Sequence, residues 1–256
     1  MARKRAKTRS TVNTTVDGNV VYPTLKYRFD DYQKEYVRSI KNTPVTMVDA
    51  KSGTGKTTLA VYMGLKMLAE EKVDKIVYLR YVDDKYLQNG FLTGDLDEKT
   101  YRLFRPFRDA LDECNVTDKE FRKLAEDERI ELTTDTDWRG GNLKGAFLII
   151  DEAQNAKKVG DLKLMLTRLH DENKEEDTVS RAVVIGHSEQ QDNKKIELIA
   201  GYSPFQVYMI HMSKKPFTKI CELKNNYRGE ISQWADEVEQ TIKELIEMQK
   251  NKKHTP

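Results

Sequence analysis

The segment AKSGTGKTT (50–58) limits what this chain can fold into more than any other. It follows the apolar, β-forming run VTMVDA (45–50) and opens a helix-forming stretch from about 57 to 71. A strand, a tight loop and a helix in that order belong in an α/β domain. The loop fits the phosphate-binding pattern G-x-x-x-x-G-K-S/T, except that Ala50 stands at the first glycine. That position needs only a small side chain compatible with the turn. Gly53 and Gly55 let the backbone curl so that successive N–H groups face phosphates, and the helix N-terminus adds positive potential. Lys56 would neutralise the β and γ phosphates, and the Thr57 hydroxyl would bind Mg²⁺. Ser52, Thr54 and Thr58 are the remaining nucleotide-binding candidates of the loop.

Further candidates follow from where other strands end. In LIIDEAQNA (148–156), apolar β-formers run into two carboxylates. Asp151 is placed to hold Mg²⁺ and Glu152 to orient or deprotonate an attacking water. Gln154 would couple the site to a partner. VVIGHSEQQD (183–192) is another strand ending near the same edge, where Gln190 would meet the γ-phosphate or the lytic water. NNYRGE (225–230) offers Arg228 for transition-state charge, and Arg168 is a second arginine candidate. Gln33 lies 17 residues before Ala50, and a glutamine amide can read N6 and N7 of adenine.

The rest of the pattern predicts strands at KIVYLR (75–80), RIELTT (129–134), AFLIID (146–151), AVVIG (182–186), FQVYMI (205–210) and TKICEL (218–223). Helices are expected at about 30–41, 100–113 (interrupted by Pro106), 118–127, 157–169 and 229–250, with Asp30 or Asp31 as the first N-cap. Segment 81–99 reads as irregular. Strands alternating with helices predict a mostly parallel sheet with helices on both faces.

Composition excludes several classes. Apolar residues are 38% of the 256 and charged residues 34%, with a mean hydropathy of −0.73. The apolar runs are compact enough for a buried sheet yet far short of the ~20 residues that cross a bilayer. No apolar segment follows the basic start, which points to a cytoplasmic chain without membrane attachment. Cys114 and Cys221 stand alone, and the four histidines lack metal-ligand spacing. Residues 1–18 read as an unstructured arm whose start, MARKRAKTRS, carries five basic residues able to hold phosphate backbones. Residues 19–250 read as one domain and 251–256 as a basic tail. DENKEED (171–177) is an acidic run between ordered segments.

These motifs resemble the PhoH-like ATPases, a branch related to superfamily 1 helicases. YQKEYVRSI, SGTGKTTLA, NGFLTGDLDEKTYRLFRPFRDAL (89–111), WRGGNLKGAFLIIDEAQN (138–155) and LKLMLTRL (162–169) follow the family's order. The resemblance implies a single RecA-like P-loop domain, ATP hydrolysis with Mg²⁺, and a link to RNA or single-stranded DNA. It adds weight to Gln33, Lys56, Thr57, Asp151, Glu152, Gln190, Arg168 and Arg228. The family usually has glycine at position 50 and an acidic residue where His187 stands. Small single-domain relatives often occur in bacteriophages, which would place the protein in a host cytoplasm. A helicase motor sandwiches ATP between two such units, and this chain has length for one. Self-association, as a homo-oligomer and most simply a hexameric ring, would then let Arg228 or Arg168 act across an interface. Two other readings fit the same residues: a nucleotide-controlled binding module without strand separation, and a small-molecule P-loop kinase. No acceptor pocket or Arg-rich lid supports the kinase.

Overall fold

Six apolar runs pair side by side and all in one direction. They are β1 (Val45–Ala50), β2 (Lys75–Arg80), β3 (Ile130–Thr134), β4 (Ala146–Asp151), β5 (Arg181–Gly186) and β6 (Thr218–Leu223). The sheet order is β6-β1-β5-β4-β2-β3, parallel throughout. The parallel sheet is the one expected of a P-loop domain, and its order, which the sequence did not predict, leaves one strand between the phosphate-loop strand and the acidic strand. The computed structural model describes residues 15–16, 19–82, 102–138, 141, 143–170, 172–173, 178–190 and 196–253. Most of the arm at 1–18, nearly all of 81–99 and most of the acidic run 171–177 lie outside the described residues; within the arm, Thr15–Val16 is not unstructured but pairs antiparallel with Asn19–Val20.

A parallel sheet is buried on both faces, so its strands read as continuous apolar runs. The two faces still separate by alternation. Val48, Ala50, Tyr78, Phe147, Ile149, Val183 and Ile185 face one core, against α1 (Asp31–Asn42), α2 (Lys56–Ala69), α3 (Arg105–Glu113) and α4 (Asp118–Glu126). Met47, Val77, Leu79, Leu148, Ile150 and Val184 face the other, against α5 (Val159–Leu166) and α6 (Pro204–Met212). Two further helices, α7 (Glu230–Asp236) and α8 (Val238–Lys253), close the described chain. No helix among the described residues is long and apolar enough to cross a membrane.

Three expectations need correcting. FQVYMI is not a strand but the body of α6. Ser203 accepts from the Gln206 amide while Gln206 Oε1 accepts from the Ser203 amide, and Pro204 fills the first turn. That reciprocal cap and a proline at the start commit the segment to a helix despite its mostly apolar, β-favouring composition. The helix expected over 229–250 is two helices with a break at Glu237, whose amide bonds to the Trp234 carbonyl. No glycine or proline marks that break. Pro106, for its part, starts α3 instead of interrupting it.

Candidate nucleotide site

The parallel sheet gathers the carboxyl ends of β1, β2, β4 and β5 along one edge. Arg80 pairs in register with Asp151, and Asp49 with Gly186. Ser188 N–H donates to Asp49 Oδ1 at 2.9 Å, which ties the loop after β5 to the strand that carries the phosphate loop.

Within the loop, Gly53 and Gly55 have φ of +79° and +83°, a region that other residues rarely adopt. A Cβ on Gly53 would sit 2.4 Å from Asn226 Oδ1. Helix α2 begins at Gly55 with no side-chain cap, which leaves its first N–H groups to an anion. Lys56 Nζ donates to the Lys51 carbonyl at 3.0 Å and so lies over the loop. Thr57 Oγ1 donates to Asp151 Oδ2 at 3.2 Å across 94 residues of sequence. A hydroxyl and a carboxylate at this spacing are the hard-oxygen pair that suits Mg²⁺, which takes one or two protein ligands and fills the rest with phosphates and water.

Asp151 is buried, and its Oδ2 also accepts from the Tyr78 hydroxyl at 2.6 Å. Tyr78 is fully buried, and burial first, then the Asp151 charge, push its phenol well above the usual range. It therefore stays protonated and donates, fixing which way the carboxylate points. Glu152 follows in the left-handed region, φ +56°. Strain of this kind is tolerated where the surroundings over-determine it, and it clusters at functional sites. Burial and the neighbouring Asp151 raise the Glu152 pKa, while Arg80, Gln154 and Lys56 pull it down; the net shift is upward.

From Glu152 a chain of contacts leads to the β5 loop. Gln154 Nε2 donates to Glu152 Oε2 at 2.6 Å, and Gln154 Oε1 accepts from the His187 amide at 3.1 Å. His187 Nδ1 lies 3.3 Å from Gln190 Oε1. Gln154 is buried, so it couples Glu152 to the β5 loop, whereas the sequence had suggested an external partner. Gln190 is exposed four residues past β5, on the edge where it was expected.

The two arginine candidates part company. Arg228 Nη1 donates to Ser52 Oγ at 2.7 Å, so it reaches the phosphate loop within the same chain and needs no interface. Arg168 lies at the other end of the sheet. Leu169 bridges Leu143 just before β4, and Thr167 and Leu169 line a cavity with Pro44 and Ser180, which precede β1 and β5. In its own chain Arg168 is away from the phosphate loop.

Arg228 belongs to a segment that sequence reasoning noticed only in part. Tyr227 N–H donates to the Gly53 carbonyl at 2.8 Å, and the Tyr227 hydroxyl donates to Asp30 Oδ2. Asn225 Nδ2 donates to the same oxygen at 2.6 Å. Asp30 also caps α1, accepting from the Gln33 amide at 2.7 Å. Buried Gln33 donates from Nε2 to the Thr54 carbonyl at 3.2 Å. Residues 225–228 and the start of α1 thus clasp the phosphate loop from two sides. Asp30, Tyr78, Asn226 and Tyr227 were missed as site residues; the available signals were the N-cap reading of Asp30 and the polar run NNYR one residue after β6.

A family model described as PhoH-like protein matches residues 28–240. The chain belongs to the PhoH-like protein family. A PhoH-like protein of Synechocystis sp. is 36% identical over 137 residues, 54% of this chain and 41% of that protein. A PhoH-like protein of Bacillus subtilis is 37% identical over 137 residues, covering 54% and 42%. Protein PhoH of Escherichia coli (strain K12) is 29% identical over 141 residues, covering 55% and 40%. The matches span about two fifths of these relatives' length. The crystal structure of Pif1 helicase from Candida albicans aligns over 79% of the chain at 11% identity, with a TM-score of 0.39. Family and phosphate loop together make this PhoH-like chain a P-loop nucleoside-triphosphate domain.

Proposed function

We propose that this PhoH-like domain binds ATP with Mg²⁺ and hydrolyses it. The observation that carries the reading is the approach of Thr57 and Asp151 to 3.2 Å beside the phosphate loop, with Glu152 next in sequence. Thr57 and Asp151 would hold the metal, which when bound would draw charge from the phosphates. Lys56, the loop amides and Arg228 would neutralise the β and γ oxygens. Glu152, with its pKa raised, would accept a proton from the attacking water, and Gln154 would keep its carboxylate in place. Gln190 would report the state of the γ-phosphate through His187. Gln33, whose second amide hydrogen is not used by Thr54, would meet the base. Ser52, Gly53, Thr54, Gly55 and Thr58 complete the cradle.

Hydrolysis is proposed to be coupled to RNA or single-stranded DNA, with the basic arm contributing phosphate contacts. A second copy would complete a two-unit motor, and a trans role is the one left to Arg168. Turnover of ATP measured with and without RNA or single-stranded DNA tests the reading. Stimulated turnover that needs Mg²⁺ supports it. Absence of turnover in both conditions would reduce the protein to a nucleotide-controlled binding module.

A further inference from the structure

The loop after β5 is held by its backbone. β5 stands between β1 and β4, so residues 187–190 lie between the phosphate loop and Glu152. The His187 amide donates to buried Gln154 Oε1 at 3.1 Å and the Ser188 amide to Asp49 Oδ1 at 2.9 Å. The Gln190 amide closes the turn on the His187 carbonyl at 3.0 Å. These contacts set the course of the loop without the His187 side chain.

The imidazole has a different task. Its side chain is 14% exposed, and Nδ1 lies 3.3 Å from Gln190 Oε1. A carboxamide oxygen only accepts, so Nδ1 carries the proton and donates. The other ring nitrogen is buried without a hydrogen-bond partner among the described residues, since Glu189 Oε2 at 3.9 Å is too far. An unpaired buried nitrogen costs stability and does nothing to hold the ring where it is. The contact with Gln190 holds it.

That contact decides which way Gln190 points. With Oε1 turned in to His187, the NH₂ end of the exposed carboxamide is turned away from the ring. A donor suits a phosphate oxygen, whereas a carbonyl oxygen would repel it. We infer that His187 is a positioning residue: it fixes the Gln190 carboxamide with its NH₂ towards the γ-phosphate. Gln190 is thereby a donor that favours a nucleoside triphosphate over a diphosphate. The inference rests on ATP binding at the phosphate loop, as proposed above, and not on hydrolysis.

Calorimetry of the full chain with Mg²⁺ tests it, using ADP and the β,γ-imido analogue of ATP, which keeps a γ-phosphate and resists hydrolysis. Aspartate only accepts, so His187→Asp should turn the carboxamide round and present its oxygen to the phosphate. The ratio of analogue affinity to ADP affinity should fall by about 10-fold or more, as for a lost hydrogen bond to a charged group. The new negative charge also lowers this ratio, so His187→Asp is repeated in a Gln190→Ala background, where the charge acts alone. The fall there should be at least about 3-fold smaller. His187→Asn, whose amide nitrogen can stand where Nδ1 stands, should keep the ratio within about 3-fold of wild type, whereas His187→Ala should not. ADP affinity should change little in any variant, which shows that the phosphate loop has folded. Equal falls in the two backgrounds, a ratio that His187→Ala leaves unchanged, or an equal loss of ADP affinity would overturn the inference and reduce His187 to a structural part of the turn. A wild-type chain that binds neither nucleotide would instead overturn the ATP reading, and the inference with it.

Discussion

Asp151 is held from two sides, by Thr57 and by Tyr78, and the two contacts have different consequences. In the proposed site Thr57 would share the metal with it, whereas Tyr78 would only orient it. Tyr78→Phe should leave ATP affinity in the absence of metal unchanged and weaken Mg²⁺ binding about 10–100-fold, as loss of a ligand's outer partner typically does. A Mg²⁺ titration of turnover checks this. Lys56→Ala should remove nucleotide binding without unfolding the domain. The stabilisation of about 2.7 kcal/mol expected at 100 times Kd should then vanish from thermal melts with ATP–Mg²⁺. Glu152→Gln should bind ATP normally and lose turnover by about 10²–10⁴-fold. The Glu152 carboxylate is raised by burial, so its basic form is lost as pH falls through that raised value. The acid limb of kcat should therefore lie above the ordinary glutamate pKa of about 4.3 and be absent from the residual rate of Glu152→Gln. Lys56, Thr57, Asp151 and Glu152 were legible because each occupies a fixed place in a short motif. Tyr78 was not, because it sits inside an apolar run and its partner is 73 residues away.

The N-terminus of α1 and the segment after β6 act on the phosphate loop as a unit, through Asp30. Burial would raise this carboxyl, but hydrogen bonds from Tyr227, the Gln33 amide, Asn225 and the Tyr32 amide outweigh it and lower its pKa. A lowered folded-state pKa gives stability that is present above the unfolded value and lost as pH falls through the folded one. The clasp should thus hold at neutral pH and loosen only in acid, below the usual carboxylate range. Asp30→Ala removes both the clasp and the α1 cap. It should cost about 0.5–2 kcal/mol in denaturant unfolding, and that deficit should shrink in acid. It should also weaken ATP binding, since Asn225 and Tyr227 lose their anchor and Arg228 is the next residue of the same segment. Elements were legible where composition and flanks agreed: KIVYLR and AFLIID coincide with β2 and β4. They failed at FQVYMI, where six residues without periodicity outvoted the start signals Ser203, Pro204 and Gln206.

At the scale of the whole molecule, the sheet order decides what the motifs can do together. The loop after β1 and the carboxylates after β4 meet because β5 alone lies between their strands, an order that periodicity along the chain could suggest only through the family resemblance. The proposed nucleic-acid coupling belongs to this scale too, because it would join that edge to the five basic residues among the first ten. If those residues contact phosphates, affinity for a single strand falls with salt, with a log–log slope of about −0.7 per neutralised phosphate. Deleting residues 1–10 should flatten the slope by at most about 3.5. The unstimulated ATPase rate should stay the same, because every group of the nucleotide site lies after residue 29. Fluorescence anisotropy of a labelled single strand across a salt series reads the slope directly. An unchanged slope would strip the arm of its role and move the nucleic-acid contacts onto the domain. A full-length chain that binds no strand at low salt would instead point the ATPase towards protein or small-molecule partners.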